Sequence, residues 1–282
     1  MIRFTENEIE QLILDDAPLG DLTTYLLGLG SQKGKLEILA REDLMVSGTE
    51  EAVRLFKKLE LTVDKYLKSG TYCQSGDSIL AVTGDAAAIH SAWRAAGTMI
   101  EFSSGIATRT HKLVTAARKG NSSTTVAGSR KHAPFLKKIA LKSLMAGGAV
   151  PHRTGLSDTI LIFKEHLLFT GGYEKLSDTV NAVRQQQKER IIVVEAHSQS
   201  EIMAVARSTA DFVQIDKMPL PEFTSCVKQC LQLNPHIGII AAGGINADNA
   251  TAYAKAGAHV LVTSWMYAAP PADIKVKITP NN

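Results

Sequence analysis

Two carboxylates, Glu195 and Asp216, each close a short apolar run, Val193-Val194-Glu195 and Val213-Gln214-Ile215-Asp216. Acids at the ends of consecutive strands can share a hard cation such as Mg2+, which one or two carboxylates hold together with substrate oxygens. Basic residues balance them. Arg130-Lys131 follows a strand-like run, and His152-Arg153 sits in the polar, glycine-rich stretch 148–158. Arginine offers a planar fork to carboxylate or phosphate, and lysine a point charge. Gly243-Gly244 follows another apolar run, where bare backbone N–H groups and the N-terminus of the next helix suit a phosphate. Thr263-Ser264 adds hydroxyl donors one unit later. Each feature alone also has a plain structural reading, as a helix cap, an ion pair or a tight turn. Gly147-Gly148, for example, is expected to end a helix begun near residue 134. Lys137 is a further candidate for the basic cluster.

Positioning these groups requires an ordered set of elements. Up to about residue 104 the pattern is mixed: Leu36-Glu37-Ile38-Leu39-Ala40 alternates as a half-buried strand, and Ser47-Gly48-Thr49-Glu50-Glu51 is expected to cap a helix running to about Leu59. Residues 78–83 read as another strand, followed by a long alanine-rich helix from about Ala86. The small-residue segment Ser103-Ser104-Gly105-Ile106-Ala107-Thr108 is taken as the domain boundary. Beyond it, apolar runs at 123–127, 159–163, 191–194, 212–215, 237–241 and 260–262 alternate with segments of helical period. Runs this apolar suit strands buried on both faces of a parallel sheet. The candidate groups fall just after these runs, where a β/α barrel carries its chemistry, and this favours a barrel over a doubly wound sheet.

Composition limits the function classes. The 282 residues are 45% hydrophobic and 21% charged, as in an ordinary globular chain, and the net charge of +3 does not point to nucleic acid. The first residues carry acids where a signal peptide needs a basic start, and no apolar run approaches membrane-spanning length, so a cytoplasmic protein without a membrane partner is expected. The three cysteines, Cys73, Cys226 and Cys230, have no zinc-site spacing and are read as structural.

The stretches Asp15-Asp16-Ala17-Pro18-Leu19-Gly20-Asp21-Leu22-Thr23-Thr24, Ser104-Gly105-Ile106-Ala107-Thr108, Arg130-Lys131 with Pro134, and His152-Arg153-Thr154-Gly155-Leu156-Ser157-Asp158 resemble type II phosphoribosyltransferases, in particular quinolinate phosphoribosyltransferase, or carboxylating nicotinate-nucleotide pyrophosphorylase. Glu195, Asp216 and Gly243-Gly244-Ile245 continue the match in order. Residues 147–153, 163–166 and 269–276 are further similar to the ModD proteins, a branch associated with molybdenum transport.

That resemblance implies an α/β fold: an N-terminal α/β sandwich over residues 1–105, rejoined by the tail 270–282, and an incomplete parallel β/α barrel over 106–269. It also implies transfer of phosphoribosyl from phosphoribosyl pyrophosphate (PRPP) to a carboxylated heterocycle, with Mg2+ as cofactor and pyrophosphate released. A homodimer is implied, with Arg94 crossing to the partner subunit's barrel. Carried over by position, Arg130, His152 and Arg153 contact substrate carboxylates, and Lys131 the substrate or phosphoribosyl group. Glu195 and Asp216 serve metal and ribose, and Gly243-Gly244 the 5′-phosphate. The chain departs from the family pattern at His132, Phe135, Lys137 and Ala242, and at Phe163, which stands where the family has an active-site lysine. The acceptor is therefore expected to differ from quinolinate. Two other classes stay open: a catalytically silent phosphate-ligand sensor linked to molybdate uptake, and a Schiff-base lyase using Lys131 or Lys164, which would need a desolvated lysine.

Overall fold

The computed structural model describes residues 2–281. The chain divides into two compact units. The first runs to His111 and takes in His132–Gly148 and the segment from Met266; the second comprises Lys112–Lys131 and Ala149–Trp265.

The first unit begins with α1 (Glu6–Leu14), where Thr5 and Glu8 form a reciprocal cap, and a short α2 (Leu22–Leu26). Then come β1 (Lys33–Ala40), β2 (Leu44–Met45), α3 (Thr49–Lys58), β3 (Thr62–Tyr66), β4 (Tyr72–Cys73), β5 (Ser78–Asp85) and α4 (Ala86–Gly120). The C-terminal strand Ile274–Pro280, β13, lies beside β1 in an antiparallel sheet of order β13-β1-β5-β3. Alternation along β1 buries Leu36, Ile38 and Ala40. These meet Leu55 and Phe56 of α3, and Ile89, Ala92, Ala96 and Ile100 of α4, whose three- and four-residue spacing draws one apolar stripe.

Local details differ from the sequence reading. The cap of α3 is Gly48, in the left-handed region at φ 84°, and buried Ser47 instead donates its backbone N–H to Ser104 Oγ at 3.0 Å. α4 runs uninterrupted through the small-residue segment 103–108 to Gly120. Residues 103–108 are small because the C-terminal segment crosses there: a Cβ on Gly105 would lie 2.1 Å from the carbonyl oxygen of Pro270. The helix expected from about residue 134 is α5 (Lys137–Ala146); it ends at Gly147-Gly148 as expected and belongs to the first unit.

In the second unit, α4 leads into β6 (Thr125–Gly128). Next come β7 (Val150–Pro151), β8 (Ile160–Ile162), α6 (Lys164–Leu167), α7 (Leu176–Gln186), β9 (Ile192–Ala196), α8 (Gln199–Ala206), β10 (Phe212–Asp216), α9 (Leu220–Leu233), β11 (Gly238–Ala242), α10 (Ala250–Lys255) and β12 (Val260–Thr263). The seven strands form one parallel sheet of order β7-β6-β12-β11-β10-β9-β8. β7 and β8, consecutive in the chain, stand at opposite edges, so the barrel is incomplete. Ala127, Leu161, Val193, Ile240, Ala242 and Val262 pack together as its interior layer. The alternate residues Val194, Val213, Ile215, Ile239 and Leu261 are buried on the other face, where α8 covers β9 and β10. This two-sided burial explains the near-continuous apolar runs. All three cysteines are buried and free, and burial pushes the Cys73 and Cys230 thiols up to about 11. No helix of the described residues is long and apolar enough to cross a membrane.

Candidate active site at the carboxyl ends of the barrel strands

Strand ends bring most of the candidate residues to one cavity of about 550 Å³ inside the second unit. Its wall includes Arg130 and Lys131 after β6, His152 and Arg153 after β7, Phe163 after β8, Glu195 on β9, Asp216 on β10, Gly243 and Gly244 after β11, and Thr263 and Ser264 at the end of β12. Backbone bonds extend the ladder into these loops: Ser129 N–H donates to Thr263 O at 2.8 Å, and His152 N–H to Gly128 O at 2.9 Å. The 154–158 turn is closed by Asp158, whose carboxylate accepts from the Thr154 N–H and hydroxyl at 3.0 Å each. Those bonds hold the Asp158 carboxyl below its ordinary range.

One side of the cavity is acidic. Glu195 Oε2 accepts from Gln214 Nε2 at 2.7 Å, and Glu195 Oε1 lies 3.3 Å from His197 Nε2. His197 Nδ1 in turn lies 4.0 Å from Asp216 Oδ2. Burial, reinforced by the Asp216 charge, raises the pKa of Glu195. A half-buried acid beside a second carboxylate, both presenting oxygen, makes a donor set that suits a hard cation. Glu195 and Asp216 therefore fit Mg2+. No group of three or more His, Cys, Asp or Glu side chains able to hold a metal occurs among the described residues, so substrate oxygens and water would complete the shell. Tyr173 donates its hydroxyl to the Glu195 carbonyl at 2.6 Å and anchors this strand end.

Across from the acids lie the bases. Arg153 is only 7% exposed, and burial together with the Arg130 charge lowers its pKa. Burial, and then Arg153, pushes His152 down from 6.5 to about 4, so its imidazole is neutral at pH 7 and serves as a hydrogen-bonding group, not a cation. Arg153 lies 5.8 Å from the ring centre of Phe163, and His166 stacks on the same ring at 5.6 Å and 22°. The His166 imidazole is fixed by the Phe163 N–H, which donates to its Nδ1 at 3.0 Å.

The glycine pair divides its work. A Cβ on Gly243 would lie 2.4 Å from Lys217 Cγ and 2.8 Å from Asp216 Oδ1, so this glycine admits the neighbouring strand end. Gly244, at φ +74°, would meet nothing within 4 Å and faces open cavity. The helix expected just after the pair begins only at Ala250, so its N-terminus does not add to the site; the 246–249 turn intervenes, with Asn249 Nδ2 donating to Gly244 O at 3.0 Å. Thr263 spends its hydroxyl inside the loop, donating to Ile245 O at 2.7 Å and accepting from Trp265 N–H at 3.0 Å. Ser264 lines the cavity beside it.

Some candidates lie elsewhere. Arg94 and Lys137 belong to the first unit, where the Arg94 guanidinium covers the Trp93 ring at 4.5 Å and lines an apolar cavity with Asp15, Asp16 and Phe102. Lys164 is on exposed α6 and Lys131 is exposed, so neither has the desolvated surroundings a Schiff-base lysine needs. Three site residues went unnoticed in the sequence. Gln214 and His197 stand two residues from Asp216 and Glu195, a signal that strand alternation contains. Lys217 also lines the cavity, held at φ 53° with its N–H donated to Ala242 O at 2.8 Å; no sequence cue marks that conformation.

An incomplete parallel barrel whose strand-end loops gather an acid pair, arginines and glycines around one cavity is an architecture suited to holding an anionic small molecule. Two family models cover almost the whole chain: "Quinolinate phosphoribosyl transferase, N-terminal domain" matches residues 21–104, and the corresponding C-terminal domain matches residues 106–277. The chain belongs to the quinolinate phosphoribosyl transferase family. It is 34% identical over 282 residues to "Putative pyrophosphorylase ModD" of Pasteurella multocida, covering 99% of each chain, and 32% identical over 280 residues to the protein of that name from Escherichia coli O157:H7, again covering 99% of each. In fold it is similar to the nicotinate-nucleotide pyrophosphorylase from Francisella tularensis, with a TM-score of 0.87, 20% identity and 99% coverage of each chain.

Proposed function

We propose that this chain transfers a phosphoribosyl group from PRPP to the ring nitrogen of a carboxylated aromatic heterocycle, with Mg2+ assisting and pyrophosphate released. The observation that carries the reading is the opposition of an acidic wall, Glu195 and Asp216, to a basic one, Arg130, Lys131 and Arg153, around a single cavity. When the bond from C1 to the pyrophosphate oxygen breaks, its electron pair leaves with pyrophosphate, and the ribose ring becomes electron-poor. The heterocycle nitrogen then forms the new bond to C1. Carboxylates beside the ring stabilise that positive charge, and cations beside the leaving group stabilise the negative one. No protein nucleophile is needed. Glu195 and Asp216 would hold a magnesium ion, which when bound would add neutralisation of the pyrophosphate charge.

The acceptor's carboxylate pairs with Arg130 and Arg153, and neutral His152 donates a hydrogen bond to it. Gly244 and Ser264 take the 5′-phosphate. Phe163 offers a ring face where a second substrate carboxylate would find no charge, so the acceptor carries fewer carboxylates than quinolinate or is larger at that edge. The working unit is a homodimer in which Arg94 completes the partner subunit's site. The deciding experiment measures pyrophosphate release from PRPP and Mg2+ across a panel of pyridine and pterin carboxylic acids. Release that depends on one of these acids is expected. Binding of PRPP without release by any acceptor would replace the transferase with a phosphate-ligand sensor.

A further inference from the structure

We infer that Gln214 recognises the sugar: its side-chain carbonyl accepts a hydrogen bond from a ring hydroxyl of the phosphoribosyl group and makes the site selective for ribose over deoxyribose phosphates. The inference rests on the phosphoribosyl reading above and identifies which part of that substrate β10 contacts.

Alternation along β10 turns Phe212, Gln214 and Asp216 to the barrel interior and leaves Val213 and Ile215 on the helix-covered face. In register, Gln214 stands opposite Glu195 on β9 and Ile240 on β11, and Ile240 opposite Val260 on β12. A carboxamide thus sits in a layer that aliphatic side chains otherwise close, and it is only 5% exposed. One half of it is used, since Nε2 donates to Glu195 Oε2 at 2.7 Å. The other half is not. Gln214 Oε1 is buried and has no hydrogen-bond partner among the described residues, although the side chain lines the cavity.

A buried, unpaired carbonyl is costly and uncommon in native proteins. In the wall of a binding cavity, the group that can satisfy it arrives with the ligand. Its chemistry narrows the choice, because a carbonyl oxygen only accepts. Phosphate, pyrophosphate and carboxylate oxygens are acceptors themselves and cannot serve. Those groups have their own partners in the cavity wall, Arg130, Lys131 and Arg153 after β6 and β7 and Gly244 and Ser264 after β11 and β12. The donors on a phosphoribosyl group are its ring hydroxyls, and Gln214 lies next to Glu195 on the acidic side, where the ribose belongs. By fixing Glu195 through Nε2 and a hydroxyl through Oε1, one side chain would orient the sugar against the carboxylate that stabilises it.

The test is calorimetric titration of the full chain with ribose 5-phosphate, 2-deoxyribose 5-phosphate and 3-deoxyribose 5-phosphate. One deoxy sugar should bind about tenfold more weakly than the ribose, as expected for one lost hydrogen bond. Gln214→Met, similar in length but without the acceptor, should lose that preference, whereas Gln214→Glu, which retains an acceptor oxygen, should keep it. Gln214→Leu serves as a second deletion if the methionine variant does not fold. Equal affinities in the parent, or a preference that survives in the folded Met or Leu variant, would overturn the role of Gln214 and leave the phosphoribosyl reading intact. Failure of the parent to bind any of the three sugars would overturn both.

Discussion

On the proposed reading, Phe163 is the side chain of the cavity wall that bears on the choice of acceptor. A substrate carboxylate placed against its ring forgoes a charge-assisted hydrogen bond worth roughly 1.5 to 3 kcal/mol, which is about 10- to 150-fold in rate or affinity. Quinolinate should accordingly be a poor acceptor for the parent, and Phe163→Lys should raise its kcat/KM toward that range, with Arg153 as the new lysine's neighbour. Comparison of quinolinate kinetics for the two proteins settles the point; efficient turnover by the parent would refute it. His152 makes a different prediction, about acid. Its folded pKa, about 4, lies below the ordinary 6.5. Between these values the unfolded chain binds a proton that the folded chain does not, so stability falls as pH drops through this window and recovers as pH rises. The total is on the order of 3 kcal/mol. His152→Gln should lose less thermal stability than the parent between pH 7.5 and pH 4.5. Parallel melting curves for the two proteins would contradict the assignment.

The loop after β11 carries two glycines with different reasons to be glycine. Both have positive φ, 79° at Gly243 and 74° at Gly244, which costs a side chain about 1 to 2 kcal/mol. Only Gly243 is also crowded, since its Cβ would strike Lys217 and Asp216. Gly243→Ala should therefore lower Tm more than Gly244→Ala and disturb the Asp216 carboxylate as well. Gly244→Ala should fold with a smaller loss but weaken binding of inorganic phosphate, because its methyl enters open cavity. Melting temperatures and phosphate titrations of the two variants check both halves, and a reversed order in Tm would discard this account of the loop.

Assembly governs Arg94. It belongs to the first unit and is not among the residues that line the barrel cavity, and the proposed reading gives it a role through another copy that receives it. The first unit also exposes Leu19, Leu22, Tyr25, Leu26 and Leu27 in one stretch, an apolar surface of the kind that protein interfaces cover. Mixing an Arg94→Ala chain with a Lys131→Ala chain should restore part of the activity that each lacks, because a heterodimer then contains one intact composite site. A fully active monomer, seen by light scattering at assay concentration, would remove Arg94 from the site.

Features that depend on neighbours in the chain could be read from the residues alone. Apolar runs bounded by polar groups located β6 and β8 to β12 to within a few residues, and the positions just after them supplied Arg130, Glu195, Asp216 and the glycine pair, while His152 and Arg153 stood out by their polar, glycine-rich stretch. Alternation and helical period are local, so they survive in a one-dimensional record. Pairing between distant segments is not local. The two-residue β7 has too few positions to show any period, and the placement of β13 beside β1 joins residues more than 200 apart in sequence. The small residues at 103–108 read as a domain boundary; that they also receive the chain arriving from Pro270 against Gly105 is invisible in their own segment. That Gly243 also makes room for Lys217 is likewise untold by its own segment. Gln214 sat in plain view two residues before Asp216, yet its unpaired oxygen exists only because Glu195 stands opposite it on another strand and Ile240 and Val260 close the layer around it.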